Sequence, residues 1–173
     1  ISTANADIAP WTGTDAVTDC GCGGCSGSGC LPAGTIISAP SGDKKIESIV
    51  VGDLVYGFDP YTRQIAEYSV MNLTSQGEIK ESALIVIDHE IGKITLTDGH
   101  LLHKEGGVSE EGIIDFVEAR NVKVGDALTV ENGKKTKVTA VYEGQRNQPI
   151  YNFEVDKVHT YIANGVVVHN DGS

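Results

Sequence analysis

Cys30 marks a change in the character of the chain. Before it runs Ser26-Gly27-Ser28-Gly29, and after it Leu31-Pro32-Ala33-Gly34-Thr35. Gly and Ser make a flexible tether, whereas the text that follows is β-forming. A tether entering a rigid segment at a cysteine presents the thiol beside the carbonyl of its own preceding peptide. A thiol is a strong intrinsic nucleophile. Attack on the Gly29 carbonyl would exchange an amide for a thioester, and Gly29 adds no side chain to hinder the approach. Viewed alone, Cys30 is more simply a structural or disulfide-bonded cysteine.

Two further groups can act on a peptide bond. Thr97-Asp98-Gly99-His100 follows the strand-like Ile94-Thr95-Leu96. A hydroxyl and an imidazole three residues apart at a strand end can converge on one amide, polarise it and protonate its leaving nitrogen. Alone, this stretch is an ordinary turn with Asp98-Gly99 at its tip. The last apolar run, Val166-Val167-Val168, delivers His169 and Asn170, with Asp171 next. An asparagine side-chain nitrogen can attack its own backbone carbonyl, form a succinimide and expel the following amine, which a neighbouring His can protonate. Alone, this is a polar tail after an edge strand.

Cys20, Cys22, Cys25 and Cys30 are the four cysteines, and all lie within 11 residues. Cys22 or Cys25 can pair with Cys30, trapping the nucleophile until a reductant releases it. The cluster can equally be inert flank. Zinc is a third reading, but the spacing lacks two separated ligand pairs. No metal and no cofactor is expected.

The elements that must position these groups are short and apolar. Thr35-Ile36-Ile37, Leu54-Val55-Tyr56, Ala83–Ile87, Lys93–Leu96, Ala127–Val130, Lys137–Val141, Tyr151–Val155 and Val166–Val168 are rich in Val, Ile and Thr and are bounded by Gly, Asp and Asn. That pattern predicts an all-β fold, a sandwich or barrel-like body. Lys45–Ile49 and Phe116–Arg120 read as single helical turns, and Asn72-Leu73-Thr74 as part of a connecting loop. His89 and His103 read as surface or packing residues. Ile46–Val55 and Ala119–Leu128 form a weak repeat, each a turn followed by Val-Gly-Asp and a strand. Two such copies predict a pseudo-twofold domain with a site between its halves.

The 173 residues suit one domain. The net charge of −11 argues against binding nucleic acid. No apolar run reaches the roughly 20 residues of a membrane helix, so no membrane partner is expected. With Ile1 first and no signal-peptide pattern, the chain reads as a piece of something longer. Residues 1–29 form a flank, 30–170 the domain and 171–173 a second flank. Trp11 is the one residue of the first flank that could dock on the domain.

Taken together and in order, these motifs resemble the Hint superfamily of inteins, bacterial intein-like domains and Hedgehog-type autoprocessing domains. The match runs from Cys30 to Asn170. It includes Cys30–Thr35, Val51-Gly52-Asp53, Thr97-x-x-His100, Tyr151-Asn152-Phe153-Glu154-Val155, His159-Thr160-Tyr161 and Gly165–Asn170. The resemblance implies a horseshoe-like, pseudo-twofold all-β fold. It also implies Cys30 as the nucleophile of an N-to-S acyl shift on Gly29, supported by Thr97 and His100. His169 would assist cyclisation of Asn170 with cleavage before Asp171, and His159 would serve as proton donor or orienter. The substrate is then the chain's own flanking polypeptide, and a monomer is expected.

Two departures bear on the outcome. Inteins are followed by Cys, Ser or Thr, whereas Asp171 follows here, and a carboxylate is no equivalent acyl acceptor. Many inteins carry Asp where this chain has Asn152, which cannot act as a base. Both departures are similar to bacterial intein-like domains. Cleavage at both ends is therefore the expected outcome, and ligation by direct attack of the freed Asp171 amine on the Gly29 thioester is a lesser one. The competing readings are a non-reactive Hint module and a zinc-binding β-domain.

Overall fold

The structure is a computed structural model, and it describes residues 29–79 and 83–169. Cys20, Cys22, Cys25, Trp11, Asn170 and Asp171 lie outside the described residues.

Apolar content and alternation set the strands. Leu84–Ile87 is a continuous apolar run in a strand with neighbours on both sides, and of Leu84–His89 all but Asp88 are buried. Lys135–Glu143 begins with strict alternation, Thr136 and Val138 turning inward between exposed lysines, which suits a half-covered strand. In chain order the strands are β1 (Leu31–Pro32), β2 (Ile36–Ile37), β3 (Lys44–Lys45), β4 (Leu54–Asp59), β5 (Gln64–Ile79), β6 (Leu84–His89) and β7 (Gly92–Thr97). They continue as β8 (Leu101–Val108), β9 (Ile114–Glu118), β10 (Ala127–Thr129), β11 (Lys135–Glu143), β12 (Pro149–Val155), β13 (Thr160–Ala163) and β14 (Val166–His169). Two 3-10 turns, Ile46–Ser48 and Ala119–Asn121, interrupt them. The strands form three curled sheets, ordered β9-β8-β14-β13-β2-β3, β10-β11-β6-β7 and β1-β12-β5-β4. The fold is all-β and horseshoe-like. Among the described residues no helix is long and apolar enough to cross a membrane.

Two local expectations are corrected. Phe116–Glu118 is strand, not helical turn, because Phe116 and Val117 pair with His103 and Leu102 and bury there. The 3-10 turn starts only at Ala119. Asn72-Leu73-Thr74 is not loop but the middle of β5, where Leu73 and Asn72 face Phe153 and Glu154 of β12. His89 and His103 are packing residues, both buried and each with Nδ1 against a threonine hydroxyl.

The repeat is real at the level of single hydrogen bonds. Gly52 and Gly125 have φ of 96° and 95°, which explains the glycine. Their N–H groups donate to Val70 and Val138 carbonyls, each at 2.9 Å. Asp53 accepts from Val50 N–H at 3.0 Å and Asp126 from Lys123 N–H at 2.8 Å, the turn bond that favours Asp. Lys44 and Lys104 then neutralise the two carboxylates at 3.2 and 3.3 Å. Val51 and Val124 are exposed, so the repeat preserves turn chemistry rather than burial.

The halves also exchange an arm. β6, from the first half, pairs with β11 of the second, and β12, from the second, pairs with β5 of the first. The closing hairpin β13–β14 bridges them, β13 on β2 and β14 on β8. Leu31, Val55, Ile87, Leu96, Leu102, Leu128, Phe153, Tyr161 and Val168 belong to one continuous core cluster.

Candidate active site

Thr97 ends β7, and its position there lets it hold Cys30 on both sides. Its Oγ1 accepts the Cys30 N–H at 2.8 Å, and its own N–H donates to the Cys30 carbonyl at 2.9 Å. The Gly29–Cys30 amide nitrogen and the peptide after it are therefore fixed by one residue. The turn then brings His100 back, its N–H donating to the Thr97 carbonyl at 3.1 Å. The His100 carbonyl accepts from Ala119 N–H at 2.9 Å, as the Thr35 carbonyl accepts from Ile46 N–H at 2.8 Å. His100 thus has a twofold counterpart in Thr35, whose hydroxyl is spent on the Pro32 carbonyl at 2.8 Å. One copy of the turn carries chemistry and the other only closes itself.

Asn152, buried on β12, donates from Nδ2 to the Gly29 carbonyl oxygen at 2.5 Å. Its amide can face only one way. Oδ1 accepts from the Phe153 N–H at 2.9 Å and from the Tyr161 hydroxyl at 2.7 Å, so the NH₂ must point at Gly29. Tyr161 is fully buried and stacks on Phe153 with centroids 4.2 Å apart. Burial pushes its phenol pKa well up, so it stays a donor. Sequence reasoning quoted Tyr161 within a motif without giving it a role.

Gly29 has no room for a side chain: a Cβ there would overlap the Cα, Cβ and Cγ of His100. Cys30 is fully buried and disulfide-bonded, with a partner outside the described residues. The Ser75 hydroxyl points at its Sγ from 3.3 Å. Ser75 sits on β5 directly opposite Asn152. Nothing in the sequence singled it out, because its proximity comes from cross-strand register.

His100 is wholly buried, and neither ring nitrogen has a hydrogen-bond partner among the described residues. Burial, reinforced by the nearby His169, lowers its pKa to about 3. The Gly29 backbone opposes this, without reaching hydrogen-bond geometry. His169 ends β14, where it packs on the Phe116 ring at 4.9 Å. Burial and then His159 lower its pKa to about 4. His159 is exposed, with a left-handed φ of 56° and its ring 6.3 Å from that of His169. Both line a groove of about 590 Å³ that also touches Tyr68, Asp115, Phe116 and Lys157. Cys30, Thr97, His100 and Asn152 thus meet at one peptide. His169 and His159 line a separate groove, and Asn170 and Asp171 fall outside the described residues.

Burial lowers the pKa of His89, His100, His103 and His169, and this gives stability a pH dependence. An unfolded histidine titrates near pH 6.5. Below that pH the unfolded chain binds protons that folded His100 and His169 refuse, so stability falls on acidification. Asp98, raised by burial to about 6 despite Arg120, works the other way below that value. Between pH 6 and 5, His100 and His169 less Asp98 give a net loss of about 1.4 kcal/mol per pH unit, and His89 and His103, also lowered by burial, add to it in the same direction. Urea unfolding of the full chain across this range should show that slope, and His100→Asn should flatten it.

A family model for the pretoxin Hint domain matches residues 36–172. The bacterial intein-like domain from Clostridium thermocellum is 32% identical, with a TM-score of 0.68 covering 82% of this chain and 98% of that one. The gp41-1 intein is 24% identical, with a TM-score of 0.64 over 82% of this chain and 98% of its own. A DnaB intein from Synechocystis sp. PCC 6803 is 15% identical, with a TM-score of 0.67 over 83% of this chain and 99% of its own. The two inteins share the fold. No curated protein sequence matches the chain.

Proposed function

This chain belongs to the pretoxin Hint domain family, and on that premise we propose that it cuts its own backbone at Gly29–Cys30 and at Asn170–Asp171. The observation that carries the proposal is the clamp on one peptide: Asn152 on the Gly29 carbonyl oxygen, Thr97 on the Cys30 N–H. Donors on a carbonyl oxygen stabilise the negative charge that grows there when a nucleophile adds. The reaction is intramolecular, so its reactants are already in place.

Once reduced, Cys30 attacks the Gly29 carbonyl carbon. The C–N bond breaks, a C–S bond forms, and the thiol proton ends on the freed Cys30 amine. His100, neutral at pH 7 and beside Gly29, relays that proton. Asn152 holds the oxyanion, which gives it a role open to an amide and closed to the carboxylate of other inteins. At the other end the Asn170 side-chain nitrogen attacks the Asn170 carbonyl carbon and expels the Asp171 amine. His169 relays to that amine the proton lost by the Asn170 side-chain nitrogen, and His159 orients His169. With Asp171 unable to accept the acyl group, the thioester is resolved by an external nucleophile and the products are separate fragments. Joining of the flanks by the Asp171 amine is the minor route.

The disulfide at Cys30 makes the first step conditional, since a disulfide sulfur cannot attack. Intact mass followed over time, with and without a phosphine reductant, tests the reading. Residues 1–29 should separate only after reduction, whereas cleavage at Asn170 should proceed in both conditions. An unchanged mass in both would reject self-cleavage.

A further inference from the structure

A second cavity, distinct from the histidine groove, is lined by the residues that touch the reacting peptide. It holds about 200 Å³ between β5, β12 and the first 3-10 turn. Two of its lining residues are Ser75 and Asn152, which are buried and touch Cys30 Sγ and the Gly29 carbonyl oxygen. Glu47 and Gln76 also line it and are exposed, so they form its mouth. The cavity therefore runs from solvent to the two side chains that contact both atoms of a future thioester.

The mouth is negative. Glu47 Oε1 accepts the Gly34 N–H at 2.7 Å, and that bond, with Lys45 nearby, holds its carboxyl below the usual range. Glu78 adds a second carboxylate, accepting the Gln76 N–H at 3.0 Å. Lys45, exposed and adjacent in sequence, is the opposing charge. The whole chain carries −11. A cleft walled by one sign of charge raises the local concentration of small solutes of the other sign.

We propose that this cleft is the port through which a small cationic nucleophile reaches the Gly29–Cys30 thioester and releases the upstream flank. The inference rests on the thioester of the preceding reading. With a thiol, R–S⁻ adds to the Gly29 carbonyl carbon, and the bond to Cys30 Sγ breaks. Cys30 leaves as thiolate and takes a proton from solvent, and residues 1–29 depart as a new thioester.

The test uses the full chain, reduced first with a phosphine so that no thiol is spent on the disulfide. Mercaptoethylamine and mercaptoethanesulfonate are compared at equal thiolate concentration, with release of residues 1–29 followed by mass. The cation should act about tenfold faster. That ratio should shrink with added salt and fall towards one in Glu47→Gln, whose side chain still accepts the Gly34 N–H. Equal rates in the unaltered chain, or a faster anion, would overturn the port while leaving the thioester standing. Failure of both thiols to release the flank would overturn the thioester, and the port with it.

Discussion

Replacing Asn152 with Ala is expected to slow release of residues 1–29 by about 100- to 1,000-fold, the usual cost of removing one oxyanion donor. The donor sits 2.5 Å from the carbonyl oxygen it would stabilise, and Asn152 is itself buried. Asn152→Asp separates this role from mere bulk. As a carboxylate it has no proton to donate, and it repels the developing charge, so it should be as slow as Ala at neutral pH. Protonated in acid, it should recover part of the rate. Tyr161→Phe removes one of the two bonds that orient the amide and leaves the Phe153 N–H in place. A loss of about tenfold is expected, because Tyr161 is a positioning residue acting through Asn152. Thiol-induced release of the reduced chain, followed by mass across pH 5–8, measures all three. An Asn152→Ala rate within threefold of the parent would remove the oxyanion role.

The second large effect concerns the residue before the cut. Gly29→Ala places a methyl group on top of the His100 Cα, Cβ and Cγ. The Cα is backbone, pinned by the Thr97 and Ala119 bonds, so His100 cannot swing aside. The Gly29 carbonyl has to move instead, away from Asn152. A displacement of about 1 Å costs roughly 100-fold in rate, and Gly29→Val should leave no measurable release at this end. Cleavage at Asn170 should continue in both variants, because the added side chain meets His100 and not His169 or His159. That asymmetry distinguishes a blocked first step from a misfolded domain. Normal release from Gly29→Val would show that the described packing is not the reactive one.

Much of this was legible in advance, and for particular reasons. Leu84–Ile87 and Val166–Val168 are apolar throughout, so their burial between two neighbours could be read directly. The Val-Gly-Asp turns repeat a backbone need that only Gly and Asp meet well, and the twofold followed from them. β5 was not legible. Its 16 residues mix Glu, Asn, Ser and Gly with scattered apolar positions, and three register shifts against β12 break the alternation. Residues 64–69 pair with the adjacent β4, but what makes residues 70–79 a strand is a partner 70 or more residues away. The same holds for the site. Cys30, Thr97 and His100 carry their chemistry in their side chains and were expected together. The part played by Asn152 depends on which way its amide faces, which Tyr161 and Phe153 decide. Ser75 reaches Cys30 only through pairing across strands.

The separation in sequence between the Gly29 carbonyl and its donor has a consequence in time. Asn152 lies 123 residues beyond Gly29, and β14, which carries His169, comes later still. A chain lengthening at about 5–20 residues per second needs roughly ten seconds to add that stretch. The exchanged arms mean that neither half can close its sheet without the other, so a half-made domain has no site. Whatever precedes Gly29 is therefore synthesised, and has time to fold, before the proposed cut at Gly29–Cys30 could occur. The order of the elements along the chain works as a delay, set by the length of the domain itself.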